Sequence, residues 1–186
     1  MTWISEAEIV VVDTSVVVNF AKAGALNALA DYLGERALIT QDVYGELGDW
    51  ASTYGAVGRL LDRSPWNEPM ELSEDLTQKV LDILGFVGGQ DPGTRLRDVG
   101  EVSSVVLAQS LRDAGRRHPI LLLDDVAHGK NLARMRKLEV VDTPGLVREM
   151  VVNDALPRAL GGKVWRETFS DRTRWAAYDS WIDGEP

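Results

Sequence analysis

The chain contains no cysteine, which excludes disulfide frameworks, thiolate nucleophiles and cysteine-bound metal. Histidine is almost as scarce, with two in 186 residues, His118 and His128. Any metal site must therefore rest mainly on oxygen ligands, and these favour hard cations such as magnesium or manganese. Basic residues are in deficit, 20 Lys and Arg against 29 Asp and Glu, for a formal charge of −9. That balance argues against nucleic acid as a partner, because phosphate binding relies on Lys and Arg. The objection weakens if part of the acidic excess is a carboxylate cluster that collects divalent cations and turns their charge toward phosphate. No apolar run approaches the ~18 residues needed to cross a bilayer. The N-terminal MTWISEAEIV has no basic region followed by an apolar core, so the expectation is a cytoplasmic protein without a membrane partner.

What is present is a chain with 45% hydrophobic residues, enough for one full core. Glu8 to Asp13 reads as a buried β-branched strand ending in an acid and feeding a helix. Ala25 to Leu33 has helical spacing closed by Gly34, Ala37 to Thr40 is a short strand, and Gln41 to Trp50 is a helix carrying Glu46. Further helices are expected over Ser52–Leu61, Asp75–Val87 and from near Glu101 to a C-terminal cap at Gly115, with a minor strand at Met70–Leu72. Pro119 to Leu123 is a second strongly apolar strand, ended by Asp124 and Asp125. A helix over Val126–Arg136 and a strand at Glu139–Val141 follow. This alternation predicts an α/β fold, a three-layer α/β/α arrangement around a mostly parallel central sheet. From about Leu156 the composition changes: Gly161-Gly162 look like a hinge, and Trp165, Trp175 and Trp181 need a surface to cover. The expected division is residues 1–155 as the main domain and 156–186 as an extension that packs on the core or on a second subunit and is dispensable for the chemistry.

In a parallel α/β sheet the ligand site lies beyond the carboxyl ends of the strands, where helix N-termini also point. Asp13 and the Asp124-Asp125 pair end two strands, Glu101 begins a helix, and Glu46 lies in the helix after the second strand. Each has a plain structural explanation by itself: Asp13, Asp124 or Asp125 as a helix N-cap, Glu101 as a favourable first-turn acid, Glu46 on a solvated helix face. Capping does not, however, require acids at four successive junctions of one sheet edge. Carboxylates gathered there repel one another, and divalent cations make such a cluster tolerable.

Four segments resemble those of PIN-domain nucleases. They are Val-Val-Asp13-Thr14-Ser15-Val-Val, the Glu46 segment Asp-Val-Tyr-Gly-Glu-Leu, the run Asp98-Val-Gly-Glu101-Val-Ser-Ser-Val-Val-Leu-Ala, and Leu-Leu-Leu-Asp124-Asp125-Val-Ala with the later Val-Val-Asp-Thr-Pro-Gly-Leu-Val. The resemblance covers about residues 8 to 150. It implies a VapC-like ribonuclease that uses Mg2+ or Mn2+, with Asp13, Glu46, Glu101 and Asp125 as catalytic acids. Asp13, Glu101 and Asp125 would hold metal, with Asp124 as a partner or alternative to Asp125. Family members often carry Thr or Ser where Leu123 stands, a hydroxyl that can support the last acid.

The implied substrate is single-stranded or looped RNA, contacted by Thr14, Ser15, Arg95, Arg97 and Lys130; Thr14 and Ser15 have an equal claim as ordinary N-terminal helix residues. An antitoxin protein and a homodimer are further partners of such chains. Three rival functions stand beside this one. A haloacid-dehalogenase-like phosphatase would need an acid where Ser15 stands; a silent PIN-like binding module would have no use for all four acids; a DNA-directed nuclease would share the same chemistry.

Overall fold

A computed structural model of the chain describes residues 4–87, 99–116, 119–124, 129–169, 174 and 177–183. Its centre is a four-stranded, all-parallel sheet of β1 (Val10–Val12), β2 (Ala37–Leu38), β3 (Ile120–Leu122) and β4 (Glu139–Val141), in the order β2-β1-β3-β4. Every residue of β1 and β3 is fully buried, as expected of parallel strands covered on both faces. Alternation divides them: Val10, Val12, Ile120 and Leu122 belong to one hydrophobic cluster, Val11, Leu121 and Leu123 to the other. The predicted α/β/α layering is the observed one.

The larger cluster collects α1 (Thr14–Lys22), α2 (Leu26–Leu33), α3 (Gln41–Ala51), α4 (Gly55–Leu61), α8 (Thr143–Val152), α9 (Arg158–Thr168) and α10 (Tyr178–Asp183). The opposite face is covered by α5 (Glu74–Val87), α6 (Val99–Asp113) and α7 (Gly129–Met135). Start signals act where the residue types demand them. Asp13 caps α1, Thr40 caps α3 and Asp142 caps α8, each side chain accepting from a backbone N–H in the first turn. Gly115, the expected cap after α6, has φ of +79°, a conformation that favours glycine.

Two expectations need correction. The strand at Met70–Leu72 shrinks to a single bridge, Thr40 to Met70, with Met70 N–H on Ile39 O at 2.8 Å and Gln41 N–H on Met70 O at 3.1 Å. The strand expected at Glu139–Val141 is found over those residues, and Asp142-Thr143-Pro144, an N-cap followed by proline in the first turn, then opens α8. The stretch from Leu156 is not irregular: Gly161 and Gly162 lie buried inside α9. Their missing side chains admit Tyr178, whose hydroxyl donates to Arg158 O at 2.7 Å. Leu156, Val164, Trp165, Tyr178 and Ile182 share the core with β1. Trp165 packs edge-on to Phe169 at 4.8 Å between ring centroids, and Trp181 is partly exposed. Trp175 lies outside the described residues.

A Cβ at Gly161 would overlap the Tyr178 hydroxyl and stand 3.0 Å from Val151, whereas one at Gly48, inside α3, would meet nothing within 4 Å. Gly161→Ala is therefore expected to lower stability by ~1–3 kcal/mol through overpacking. Gly48→Ala should raise it by ~0.5–1 kcal/mol, because alanine loses less backbone entropy in a helix. Urea denaturation midpoints check the contrast, and equal shifts for the two variants would contradict this packing of α9.

Candidate functional site

The chain runs from β1 outward to β2, then crosses to β3 on the other side of β1 and continues to β4. The order therefore reverses between β1 and β3, the place where open α/β sheets leave a crevice at their carboxyl ends. Asp13 follows β1 directly, and its N–H extends the ladder to Leu122 O at 3.1 Å. Asp124 stands two residues beyond β3. The two acids thus flank the switch point.

Each carboxylate there is seated at a helix N-terminus. Asp13 Oδ2 accepts from Ser15 N–H at 3.1 Å and from Ser15 Oγ at 2.6 Å, at the start of α1. Asp124 Oδ1 accepts from Thr143 N–H at 2.6 Å at the start of α8, while Oδ2 accepts from the Thr143 hydroxyl and from Asn19 Nδ2, the latter at 2.7 Å. Glu46 reaches across from α3 to α6, where Oε1 accepts from Gly100 N–H at 3.1 Å and Oε2 from the Thr14 hydroxyl. Glu101, in the first turn of α6, is buried. The hydroxyl protons of Thr14 and Ser15 are therefore engaged by carboxylates in this arrangement.

Helix N-termini favour an anion, yet burial outweighs that help. Burial pushes the Asp13 carboxyl above the ordinary carboxylate range, against the lowering effect of the Ser15 bonds, and the Asp124 charge raises it further. Burial raises Glu46 as well, opposed by the Thr14 hydroxyl and assisted by the charge of Asp13. Burial likewise raises Asp124, opposed by Thr143 and Asn19, with Asp142 adding to the rise. Among the described residues, the ion pairs join acids other than Asp13, Glu46 and Asp124. Lys130, expected as a substrate contact, pairs with Asp142 at 3.0 Å. Arg95, Arg97 and Asp125 lie outside the described residues. Among the described residues no three acids or histidines meet as a ready metal cluster.

Not every buried acid belongs here. Glu149 in α8 accepts from Ile4 N–H, Ser5 N–H and the Tyr32 hydroxyl, tying down the N-terminal turn. The Tyr32 pKa is pushed up to about 12 by burial and by Glu149, so Tyr32 remains a donor.

Two supporting residues escaped the sequence reading, and both had a signal. Asn19 is a polar interruption in the apolar run Val16 to Phe20, one turn from Ser15 on the same helix face. Thr143 follows an N-cap acid and precedes proline. It supplies the hydroxyl that Leu123 lacks: Leu123 is fully buried in the core, and Asp124 takes its hydroxyl bond from α8 instead.

No curated protein and no solved structure matches the chain. A family model described as a PIN domain matches residues 9–161, reaching past residue 155 into α9. PIN domains are generally nucleases, hydrolases that act on nucleic acids and use divalent metals. With its parallel sheet and the acids at the carboxyl edge within the matched span, this chain belongs to the PIN-domain family.

Proposed function

We propose that the chain is a divalent-metal-dependent endoribonuclease, a VapC-like enzyme that hydrolyses phosphodiester bonds in single-stranded or looped RNA. The observation that carries this reading is the pairing of Asp13 and Asp124 across the β1–β3 switch point, with Glu46 attached to Thr14 beside them. The donor set fits a hard cation. Its members are carboxylate oxygens, the described hydrogen-bond partners of Asp13, Glu46 and Asp124 are neutral hydroxyls and amides, and burial with neighbouring acids holds these three carboxyls above the ordinary range in spite of those partners. Asp13, Asp124 and Glu101, together with Asp125, would hold Mg2+ or Mn2+.

A cation bound there supplies positive charge against the charge that develops on phosphate, and acidifies the attacking water. The protein's own groups do the rest. Ser15 and Asn19, one turn apart on α1, fix the orientations of Asp13 and Asp124, so that little reorganisation accompanies the reaction. Glu46, held by Thr14 and Gly100, orients the attacking water. Lys130 stands at the rim through its pair with Asp142 and is the described cation assigned to a substrate phosphate; Arg95 and Arg97 are assigned the same role. A cluster that counts as negative when empty also reconciles a formal charge of −9 with a nucleic-acid substrate. The finer setting, a cytoplasmic toxin restrained by an antitoxin and assembled as a homodimer, belongs to the same proposal. Among the described residues no helix is long and apolar enough to cross a membrane.

Asparagine keeps the capping geometry at residue 13 while removing the charge. Asp13→Asn should therefore fold but lose metal-dependent cleavage of labelled single-stranded RNA by on the order of a hundredfold or more. A carboxyl with a raised folded pKa stabilises the folded state most when protonated. That contribution is full below the ordinary carboxylate range and is lost as pH rises through the raised value. In chelator, the wild-type melting temperature should accordingly fall as pH rises from acidic to neutral, and Asp13→Asn should flatten the fall and melt higher at neutral pH. Near wild-type cleavage by Asp13→Asn would overturn the assignment of this residue.

Manganese should stabilise the folded state by about 2.7 kcal/mol at a hundredfold excess over its dissociation constant if one site fills. A thermal melt that saturating manganese leaves unchanged would contradict a metal site.

A further inference from the structure

Gly100 is the second residue of α6, a position where helices accept most residues and where propensity does not favour glycine over alanine. Here the space beside it is filled. A Cβ on Gly100 would lie 2.5 Å from Glu46 Oε1, 2.7 Å from Oε2 and 2.8 Å from the carboxyl carbon. All three are closer than any relaxed contact permits. The same residue's N–H donates to Glu46 Oε1 at 3.1 Å. The carboxylate therefore rests on the bare α-carbon of Gly100 and is tied to its amide.

The two helices that form this contact are also fixed to each other one turn away. Ser103 Oγ donates to Gly100 O at 2.9 Å, so its single proton is engaged. The 2.9 Å contact between Ser103 Oγ and Thr40 Oγ1 must then be donated by Thr40. Thr40 Oγ1 in turn accepts from Val43 N–H at 3.2 Å. A directed chain thus runs from the first turn of α3 through two buried hydroxyls to the carbonyl of Gly100, and holds both helix ends in register. With the helix ends held, added bulk at residue 100 is relieved at the free end of the Glu46 side chain rather than by backbone movement.

We infer that Gly100 is a positioning residue for the Glu46 carboxylate: its missing side chain makes the seat and its amide fixes the oxygen. The role of that carboxylate in cleavage rests on the reading proposed above, but the seat itself does not. Gly100→Ala should evict the carboxylate from its place against Thr14 and α6 while the fold persists.

The test is a double-substitution cycle in the full chain with Gly100→Ala, Glu46→Asp and both together. It reads manganese-dependent RNA cleavage and, separately, the melting temperature in chelator. Gly100→Ala is expected to lower cleavage at least tenfold, chiefly in kcat, and to lower the melting temperature where helix propensity alone would not lower it. Glu46→Asp draws the carboxylate back by one methylene. The double variant should therefore melt above Gly100→Ala and cleave faster than the product of the single losses allows. Wild-type cleavage and an unchanged or raised melting temperature for Gly100→Ala would overturn the inference, as would losses that simply multiply. If the wild-type chain cleaves no RNA, the nuclease reading fails, while the melting cycle still decides the seat.

Discussion

Buried carboxylate at the carboxyl edge of the sheet is the constraint around which the rest of the molecule is arranged. Asp13 is buried, Glu46 and Asp124 are half-buried, and at each of them partial loss of water and another acid raise the electrostatic penalty. The protein meets this with neutral donors: the first-turn amides of α1, α6 and α8, the hydroxyls of Thr14, Ser15 and Thr143, and the amide of Asn19. Such donors orient a carboxylate and lower the penalty of ionisation without cancelling the charge. The remaining negative potential is what a divalent cation would neutralise. A salt bridge to Arg or Lys would instead have cancelled that charge within the protein.

The same constraint explains why helices from distant parts of the chain converge at one edge. Three N-termini are needed to seat three acids, and they come from α1, α6 and α8. Holding α8 there requires its other face to be buried, which α9 and α10 accomplish through Val164, Trp165, Tyr178 and Ile182. The C-terminal stretch thus bears on the site through packing, although it contributes none of the proposed ligands.

The acids themselves were legible in the sequence because strand ends and helix starts have local signatures. Val10 to Asp13, Leu121 to Asp124 and the Glu101 helix were readable from apolar runs that stop at an acid. Their partners were harder to see, since Asn19 and Asp124 are far apart in sequence and meet only once β1 and β3 pair. Glu46 likewise reads as a solvated helix residue until Gly100 is brought beneath it. The helical repeat of α9 was present in Leu160, Gly161, Val164, Trp165 and Thr168. Two adjacent glycines ordinarily signal a loop, and here they mark close packing instead.

The account is tested most directly by locating the cation. Crystals soaked in manganese, measured above its absorption edge, should show an anomalous peak bordered by the carboxylates of Asp13 and Asp124. A peak at some other acid, or none at saturating manganese, would contradict it and leave Asp13 as the cap of α1 and Asp124 as a brace between β3 and α8.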